Sequence, residues 1–122
     1  MKQSKFIKIK KTDVCKLKGT TICYLAFMEN PNIVKIGKTR DFESRRRQLN
    51  TANPLILGYY TIPYDIENTL HQIFKKKKAT GEWYKYENKE MFLEKVKKIL
   101  LDLTNMTSCE VIDKYYYYEE NN

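Results

Sequence analysis

The chain has 122 residues and a net charge of +8, and hydrophobic side chains make up 42% of the sequence. A chain of this length and composition is typical of one globular domain rather than a disordered segment. No stretch approaches the ~18 consecutive apolar residues that a membrane-spanning helix requires, so we predict no membrane partner. Three widely spaced cysteines and one histidine argue against a disulfide framework or a structural zinc site, and favour a reducing compartment.

The positive charge is unevenly distributed along the chain. Residues 1–19 hold seven lysines and one aspartate, a net +6, whereas residues 20–87 hold a net +4. The lysine-rich start of the chain has no continuous apolar stretch, and we do not expect it to be a secretory signal. A basic arm over 1–20 joined to a mildly basic body indicates a polyanionic partner, most often nucleic acid, although a solvated lysine-rich surface is the alternative. We expect the arm to add affinity without reading sequence.

Two short strands are predicted at the start of the body. Residues 22–27 and 33–36 are rich in apolar and β-branched side chains, and the asparagines and proline between them favour a turn. A four-residue loop over 28–31 pairs Tyr24 with Lys35 and keeps the apolar side chains together on the other face of the hairpin. The hairpin is therefore predicted to have one apolar face and one polar face.

Three helices and a third strand follow the hairpin. Asp41, Asp65 and Asn88 are predicted to cap the three helices, and residues 110–118 are a candidate terminal strand. The predicted elements are a helix over 42–51, a strand over 55–62, a helix over 66–77 and a helix through about 104. The buried side of the last helix is predicted to consist of Met91, Phe92, Val96, Ile99, Leu100 and Leu103. The order β-β-α-β-α-α predicts a mixed α/β (α+β) domain with a small three-stranded antiparallel sheet flanked by helices.

Four polar residues occupy places in these elements where chemistry is feasible. Tyr24 and Lys35 lie on the polar face of the hairpin, Arg45 lies in the first turns of one helix, and Glu67 lies in the first turn of the next. Taken singly, each has a simpler interpretation as a strand or helix surface residue. Helical register also leaves Arg46 as an alternative to Arg45.

The segment ICYLAF followed by VKIGKTRDFESRRRQLNT resembles the paired motifs of the GIY-YIG nuclease superfamily. The continuation DIENTLHQIF and then GEWY is similar to a branch common in phages and large DNA viruses. The resemblance covers about 21–87 and implies a GIY-YIG-like nuclease domain there, with 88–122 as a C-terminal helix and tail packing on the same domain. The chain departs from the superfamily pattern at Ile22, which stands at the first-motif glycine, and at Lys35, which stands at the second-motif tyrosine.

The resemblance implies a metal-dependent endonuclease that hydrolyses phosphodiester bonds in DNA. In that interpretation Glu67 holds Mg²⁺ or Mn²⁺, and Tyr24 positions or deprotonates the attacking water. Arg45 contacts the phosphate oxygens, and Lys35 takes the place of the second tyrosine. His71 lies one helical turn after Glu67, where it contacts the metal or shuttles a proton, with an ordinary hydrogen-bonded histidine as the alternative. We expect Tyr24, Arg45 and Glu67 to converge on one concave surface.

Other residues are assigned to the substrate or to packing. Glu82 is a second candidate metal ligand, and Trp83 and Tyr84 are expected to pack at the edge of the core, with base stacking as the alternative. The predicted nucleic-acid contacts are Lys38, Arg40, Arg46, Arg47, Lys75 and Lys76.

The expected partner is nucleic acid, DNA in the leading interpretation. With no further domain in the sequence, specificity is expected to be weak, to depend on DNA structure, or to come from a protein partner or a homodimer. A non-catalytic nucleic-acid-binding module of the same fold is the alternative function, and a protein-interaction module is the third. The expected location is intracellular, in the cytoplasm or, if the protein is viral, in the cytoplasm or nucleus of a host cell.

Overall fold

The structure, a computed structural model, describes residues 21–119. The predicted basic arm, 1–20, and the end of the tail, 120–122, lie outside the described residues. The strands are β1 (Ile22–Met28), β2 (Ile33–Thr39), β3 (Gly58–Ile62), β4 (Lys78–Thr80) and β5 (Trp83–Lys85). The helices are α1 (Phe42–Ala52), α2 (Glu67–Ile73), α3 (Lys89–Asp102) and α4 (Ser108–Ile112), with a 3₁₀ turn at Lys75–Lys77 and a π-helical segment at Asp113–Glu119.

The fold is of the predicted mixed α+β class, but its antiparallel sheet has five strands in the order β3-β1-β2-β5-β4. The prediction of three strands was wrong because β4 and β5 are only three residues long, too short for an alternating pattern to stand out. Gly81, with a φ of +53°, makes the tight turn between them. The predicted helix over 66–77 therefore ends earlier, at Ile73, and the lysine run after it leads into the hairpin.

The β1–β2 hairpin is shifted by two residues from the predicted register. Tyr24 pairs with Gly37, and Lys35 pairs with Ala26, across a loop of four residues, 29–32. A shift of two leaves every side chain on its predicted face, since successive strand residues alternate between faces. Tyr24 and Lys35 thus share a face as diagonal neighbours, and the predicted direct pairing was wrong.

Helices cover both faces of the sheet, so β1 is buried along its whole length. Cys23 and Leu25 face the main core, to which α2 contributes Leu70 and Ile73. On the opposite face, Tyr24 packs in a smaller cluster beneath α1. The main core also receives side chains from α3, α4 and β5, namely Phe92, Leu93, Val96, Ile99, Val111 and Tyr84.

Two of the three predicted helix caps are present. The Asp41 carboxylate accepts a hydrogen bond from the Ser44 amide at 3.2 Å, and the Asn88 side chain accepts one from the Met91 amide at 2.9 Å. Asp65 is not a cap, because α2 begins at Glu67 after an Ile66 N-cap that has no side-chain hydrogen bond. The third strand is also shorter than predicted, beginning at Gly58 rather than at residue 55.

The buried side of α3 agrees with the prediction except at its start. Phe92, Val96 and Ile99 are buried, as the 3.6-residue period requires, but Met91 is 70% exposed. Hydrophobicity placed Met91 in the apolar stripe, yet Met91 lies on the outer side of the helix, while its neighbours Phe92 and Leu93 face the core. Leu93, which the prediction omitted, is buried instead.

The segment after α3 is helical, so the predicted terminal strand over 110–118 was wrong. Val111 and Tyr115 are both buried, and their four-residue spacing fits one helical face better than an alternating strand. Asp102 anchors the segment by accepting hydrogen bonds from Lys114 Nζ at 2.8 Å and from the Tyr115 hydroxyl at 2.7 Å. These bonds hold the pKa of Asp102 below its ordinary value. Within the described residues, no helix combines the length and the apolar character that crossing a membrane requires.

Candidate active site

Gly37 makes room for the ring of Tyr24. A Cβ at position 37 would lie 2.5 Å from both Cζ and the hydroxyl oxygen of Tyr24, so the ring lies directly on the glycine backbone. Arg45 Nη1 donates to that hydroxyl at 3.4 Å. The Arg45 backbone amide bonds to the Asp41 carbonyl at 3.1 Å, which places the arginine in the first turn of α1 as predicted. Tyr24 and Arg45 thus form the first part of the site.

Burial changes the role that Tyr24 can have. The residue is completely buried on the α1 side of the sheet, where its ring lies on Gly37 and packs with Phe42 of α1. A hydroxyl without exposed surface does not contact bulk water, so the predicted role of positioning the attacking water has no support in this arrangement. Its contact with Arg45 instead supports a role in orienting the guanidinium.

Replacing Gly37 with alanine is expected to lower the free energy of unfolding by about 1–3 kcal/mol, the usual cost of overpacking a filled core. The new Cβ must displace the Tyr24 ring, and with it the hydrogen-bond partner of Arg45. Urea denaturation measures the change. Gly58→Ala is the matched control, because a Cβ there meets nothing within 4 Å. Equal stability of the two variants would contradict the packing of Tyr24 on Gly37.

The second part of the site combines two carboxylates and an imidazole. Glu67 and His71 lie one turn apart on α2, with Glu67 Oε2 3.3 Å from His71 Nε2. Glu82 approaches them from the turn before β5. One ligand atom from each of the three residues lies within 4.8 Å of those of the other two. Glu67 and His71 are partly buried, and Glu82 is the most exposed of the three. Two carboxylate oxygens and one imidazole nitrogen at this separation fit the ligand set of one divalent cation.

Two buried groups lie beside this cluster. The Tyr84 hydroxyl forms a close contact with His71 Nδ1. Burial raises the pKa of that hydroxyl, and the Glu82 and Glu67 carboxylates raise it further. Burial also raises the pKa of the Cys23 thiol well above its ordinary value, with a smaller contribution from Glu67. Cys23 therefore stays a neutral core residue rather than a nucleophile.

Lys35 joins the two parts of the site. Its Nζ lies 3.1 Å from Glu82 Oε1, although Lys35 belongs to the Tyr24 face of the sheet. β5 pairs only with residues 33–35 of β2, and the Ile36 amide donates to the Glu82 carbonyl at 3.0 Å. Beyond this point no strand in the described part of the chain covers the outer side of β2. Side chains from the two faces can therefore approach each other at this edge.

The predicted convergence of Tyr24, Arg45 and Glu67 on one face needs correction. The helix that carries Glu67 packs against the Cys23 side of the sheet, whereas Tyr24 and Arg45 lie on the α1 side. Alternation along a strand predicts the face of Tyr24, but it says nothing about where a helix after β3 packs. The connection between the two groups runs through Lys35 and Glu82.

The predicted nucleic-acid contacts are found on both sides of the sheet. Arg47 on α1 and Lys38 at the end of β2 are exposed, while Arg46 forms an ion pair with Glu43 at 3.1 Å. Arg40, also exposed, lies between β2 and α1. Lys75 and Lys76 are exposed in the 3₁₀ turn after α2, with Lys76 Nζ 4.6 Å from the centre of the Tyr116 ring. Arg40, Arg46 and Arg47 therefore lie on α1 or just before it, Lys38 shares the Cys23 face of β2, and Lys75 and Lys76 follow α2.

The GEWY segment contributes more to the site than packing alone. Both aromatic residues pack as expected, although Tyr84 is buried within the main core rather than at its edge. Trp83 is partly buried, with its ring centre 5.9 Å from Lys35 Nζ. The contact between Tyr84 and His71 was not predicted. Glu82 lies in the turn only two residues before Tyr84, and this short separation was the available clue.

Comparison with known families supports a phage-type domain. The model of the T5orf172 domain matches residues 20–103, which include every element from β1 to α3. This domain is found in phage proteins and is often linked to nucleases of the GIY-YIG and HNH-like kinds. No curated protein and no solved structure matches the chain. The match extends over well more than half of the sequence, and the chain therefore belongs to the T5orf172 domain family.

Proposed function

We propose that this protein is a metal-dependent endonuclease that hydrolyses phosphodiester bonds in DNA. The observation that carries the proposal is the cluster of Glu67, His71 and Glu82, whose ligand atoms lie within 4.8 Å of one another. Lys35 contacts this cluster directly, and it belongs to the same face of the sheet as the Tyr24–Arg45 pair, which is the face opposite α2. A cation site with the positive Lys35 side chain beside it suits a reaction at an anionic phosphodiester. Membership of a domain family often linked to nucleases supports the same conclusion.

Glu67, His71 and Glu82 would hold the cation, Mg²⁺ or Mn²⁺. When bound, a divalent cation supplies charge neutralisation at the phosphate and makes the attacking water more acidic. Glu67 and His71 are partly buried on a short helix packed against the core, which fixes the positions of their ligand atoms. Glu82 is the more exposed carboxylate, with 48% of its side chain accessible, so it lies nearest to an incoming substrate.

Arg45 and Lys35 would act on the phosphate itself. Arg45 presents a planar guanidinium that forms paired hydrogen bonds to phosphate oxygens, and Tyr24 restricts its orientation by accepting one N–H. Lys35 is paired with Glu82 and supplies a second positive charge as negative charge develops on the phosphate. Tyr24 is thus a positioning residue in this proposal, while Arg45 and Lys35 touch the substrate.

Exposed basic residues on β2 and α1 would hold the DNA backbone. Lys38 and Arg47 project from β2 and α1 into solvent, on elements that also carry Lys35 and Arg45. Contacts of this kind are made to phosphates and position the duplex without selecting a sequence. Weak sequence preference and recognition of DNA structure are the expected result.

A cleavage assay tests the proposal. The full chain is incubated with supercoiled, linear duplex, single-stranded and branched DNA, with Mg²⁺, with Mn²⁺ and with a chelator, and an RNA of matched sequence is included. Nicking that requires a divalent cation and is stronger on DNA than on RNA is the expected outcome.

A non-catalytic nucleic-acid-binding module is the second candidate. The observation that favours it is the complete burial of the Tyr24 hydroxyl, which keeps that group away from substrate. DNA that is bound but never nicked with either cation would establish this second function instead.

A further inference from the structure

We propose that His71 is a direct ligand of the cation, that Tyr84 is the positioning residue that holds its ring, and that the site therefore prefers Mn²⁺ to Mg²⁺. The inference rests on the proposed function, because it concerns the same cation. It specifies which nitrogen of His71 faces the cation, and it adds a supporting residue and a metal preference to that site.

Both ring nitrogens of His71 are engaged. Nε2 lies 3.3 Å from Glu67 Oε2, and Nδ1 contacts the Tyr84 hydroxyl. The two rings lie 5.2 Å apart between centroids, at 46° to each other. A histidine held at both nitrogens has little freedom to rotate, so Nε2 stays directed at the carboxylates.

The hydroxyl of Tyr84 suits either tautomer of His71. As a cation ligand, Nε2 must present a lone pair, so the ring proton sits on Nδ1 and needs an acceptor. A tyrosine hydroxyl both accepts and donates, so it can take that N–H, and it can instead donate to Nδ1 when the proton sits on Nε2. Tyr84 therefore supports the ring before and after cation binding.

Tyr84 is itself held firmly. It is buried in the main core on β5, opposite Val34. Glu82 lies two residues earlier, in the turn that leads into β5, so one segment supplies both a carboxylate ligand and the support for the imidazole. Movement of this segment would disturb both together.

The donor set favours a transition metal ion. Mg²⁺ takes oxygen ligands almost exclusively and keeps several waters. Mn²⁺ also prefers oxygen ligands, but it belongs to the first-row series whose members bind sites that mix nitrogen and oxygen donors. Two carboxylates and one imidazole therefore favour Mn²⁺ relative to Mg²⁺. Without the imidazole, the remaining carboxylate oxygens would discriminate less between Mn²⁺ and Mg²⁺.

Calorimetric titration of the full chain with Mn²⁺ and with Mg²⁺, at one pH and without DNA, tests the inference. Wild type is expected to bind Mn²⁺ at least about tenfold more tightly than Mg²⁺, and Tyr84→Phe to weaken Mn²⁺ binding by about 10- to 100-fold, the usual effect of losing a residue that supports a ligand. His71→Gln is expected to narrow the difference between the two ions. Tyr86→Phe is the matched control, because that buried hydroxyl donates to the Met28 carbonyl at 2.6 Å instead.

Thermal unfolding of all variants shows whether they are folded, and the conservative Tyr84→Phe change serves if His71→Gln does not fold. Equal Mn²⁺ affinity in Tyr84→Phe and Tyr86→Phe, or an unchanged ion preference in His71→Gln, would overturn the inference. Tight, His71-dependent Mn²⁺ binding without any cleavage would overturn the proposed function and leave the inference standing. DNA cleavage by a protein whose Mn²⁺ affinity is unchanged in His71→Gln would overturn the inference and leave the proposed function standing.

Discussion

Glu67→Gln is expected to slow DNA cleavage about a thousand-fold while DNA binding persists. A bound cation contributes several kcal/mol to stabilising the transition state of phosphodiester hydrolysis, and each ~1.4 kcal/mol is a factor of ten in rate. Glutamine keeps the size and polarity of the side chain that lies beside His71, so the fold should be preserved. Nicking rates on supercoiled DNA, together with binding measured by fluorescence anisotropy, separate the two effects.

Glu90→Gln is the matched control for this variant. Glu90 occupies the first turn of α3, as Glu67 occupies the first turn of α2, and it does not belong to the ligand cluster. The control should cleave like wild type. If Glu67→Gln also cleaves at the wild-type rate, the cleavage arises elsewhere, either from a contaminating nuclease or from a site without Glu67.

Arg45→Ala is expected to lower kcat by about 10²- to 10³-fold. Other enzymes lose about this much when one preorganised hydrogen-bond donor to the developing negative charge is removed. KM should change much less, because an interaction that forms fully only in the transition state contributes little to ground-state binding. Steady-state kinetics on a short fluorescent duplex give both constants.

Two companion variants sharpen this test. Arg47→Ala removes an exposed arginine from the same helix and should raise KM with kcat unchanged, as expected for a backbone contact. Tyr24→Phe removes only the hydrogen-bond acceptor of Arg45, and should lower kcat by less than Arg45→Ala does. A larger loss in Tyr24→Phe would contradict a positioning role and show that the hydroxyl touches the reacting atoms.

The sequence predicted which face of a strand a side chain occupies, and which residues cap the helices, better than it predicted which residues pair across the strands. Asp41 and Asn88 cap α1 and α3 as expected, because capping depends on residues within one turn. Tyr24 and Lys35 share a face as expected, but their pairing was two residues out of register. Alternation is identical after a shift of two, so composition alone does not distinguish the two registers.

For the candidate site, the residue types were easier to predict than their arrangement. The spacing of Glu67 and His71 places them on one helical face, and the structure brings their side chains together. α2 packs on the Cys23 side of the sheet because Leu70 and Ile73 contact the main core there. These are tertiary contacts, which the local sequence does not specify. The position of Glu82 depended on a hairpin whose strands were too short to detect.

The ion pair between Lys35 and Glu82 also has a consequence for the kinetics of folding. These residues lie 47 positions apart in the sequence, and β2 meets β5 only after the intervening chain has closed into a loop. Closing a loop of this length costs entropy before any contact compensates for it, and folding slows as contacts become less local. The helices can form early, whereas the ligand set is complete only when β5 has paired. During refolding, recovery of cation binding should therefore lag behind recovery of helical circular dichroism.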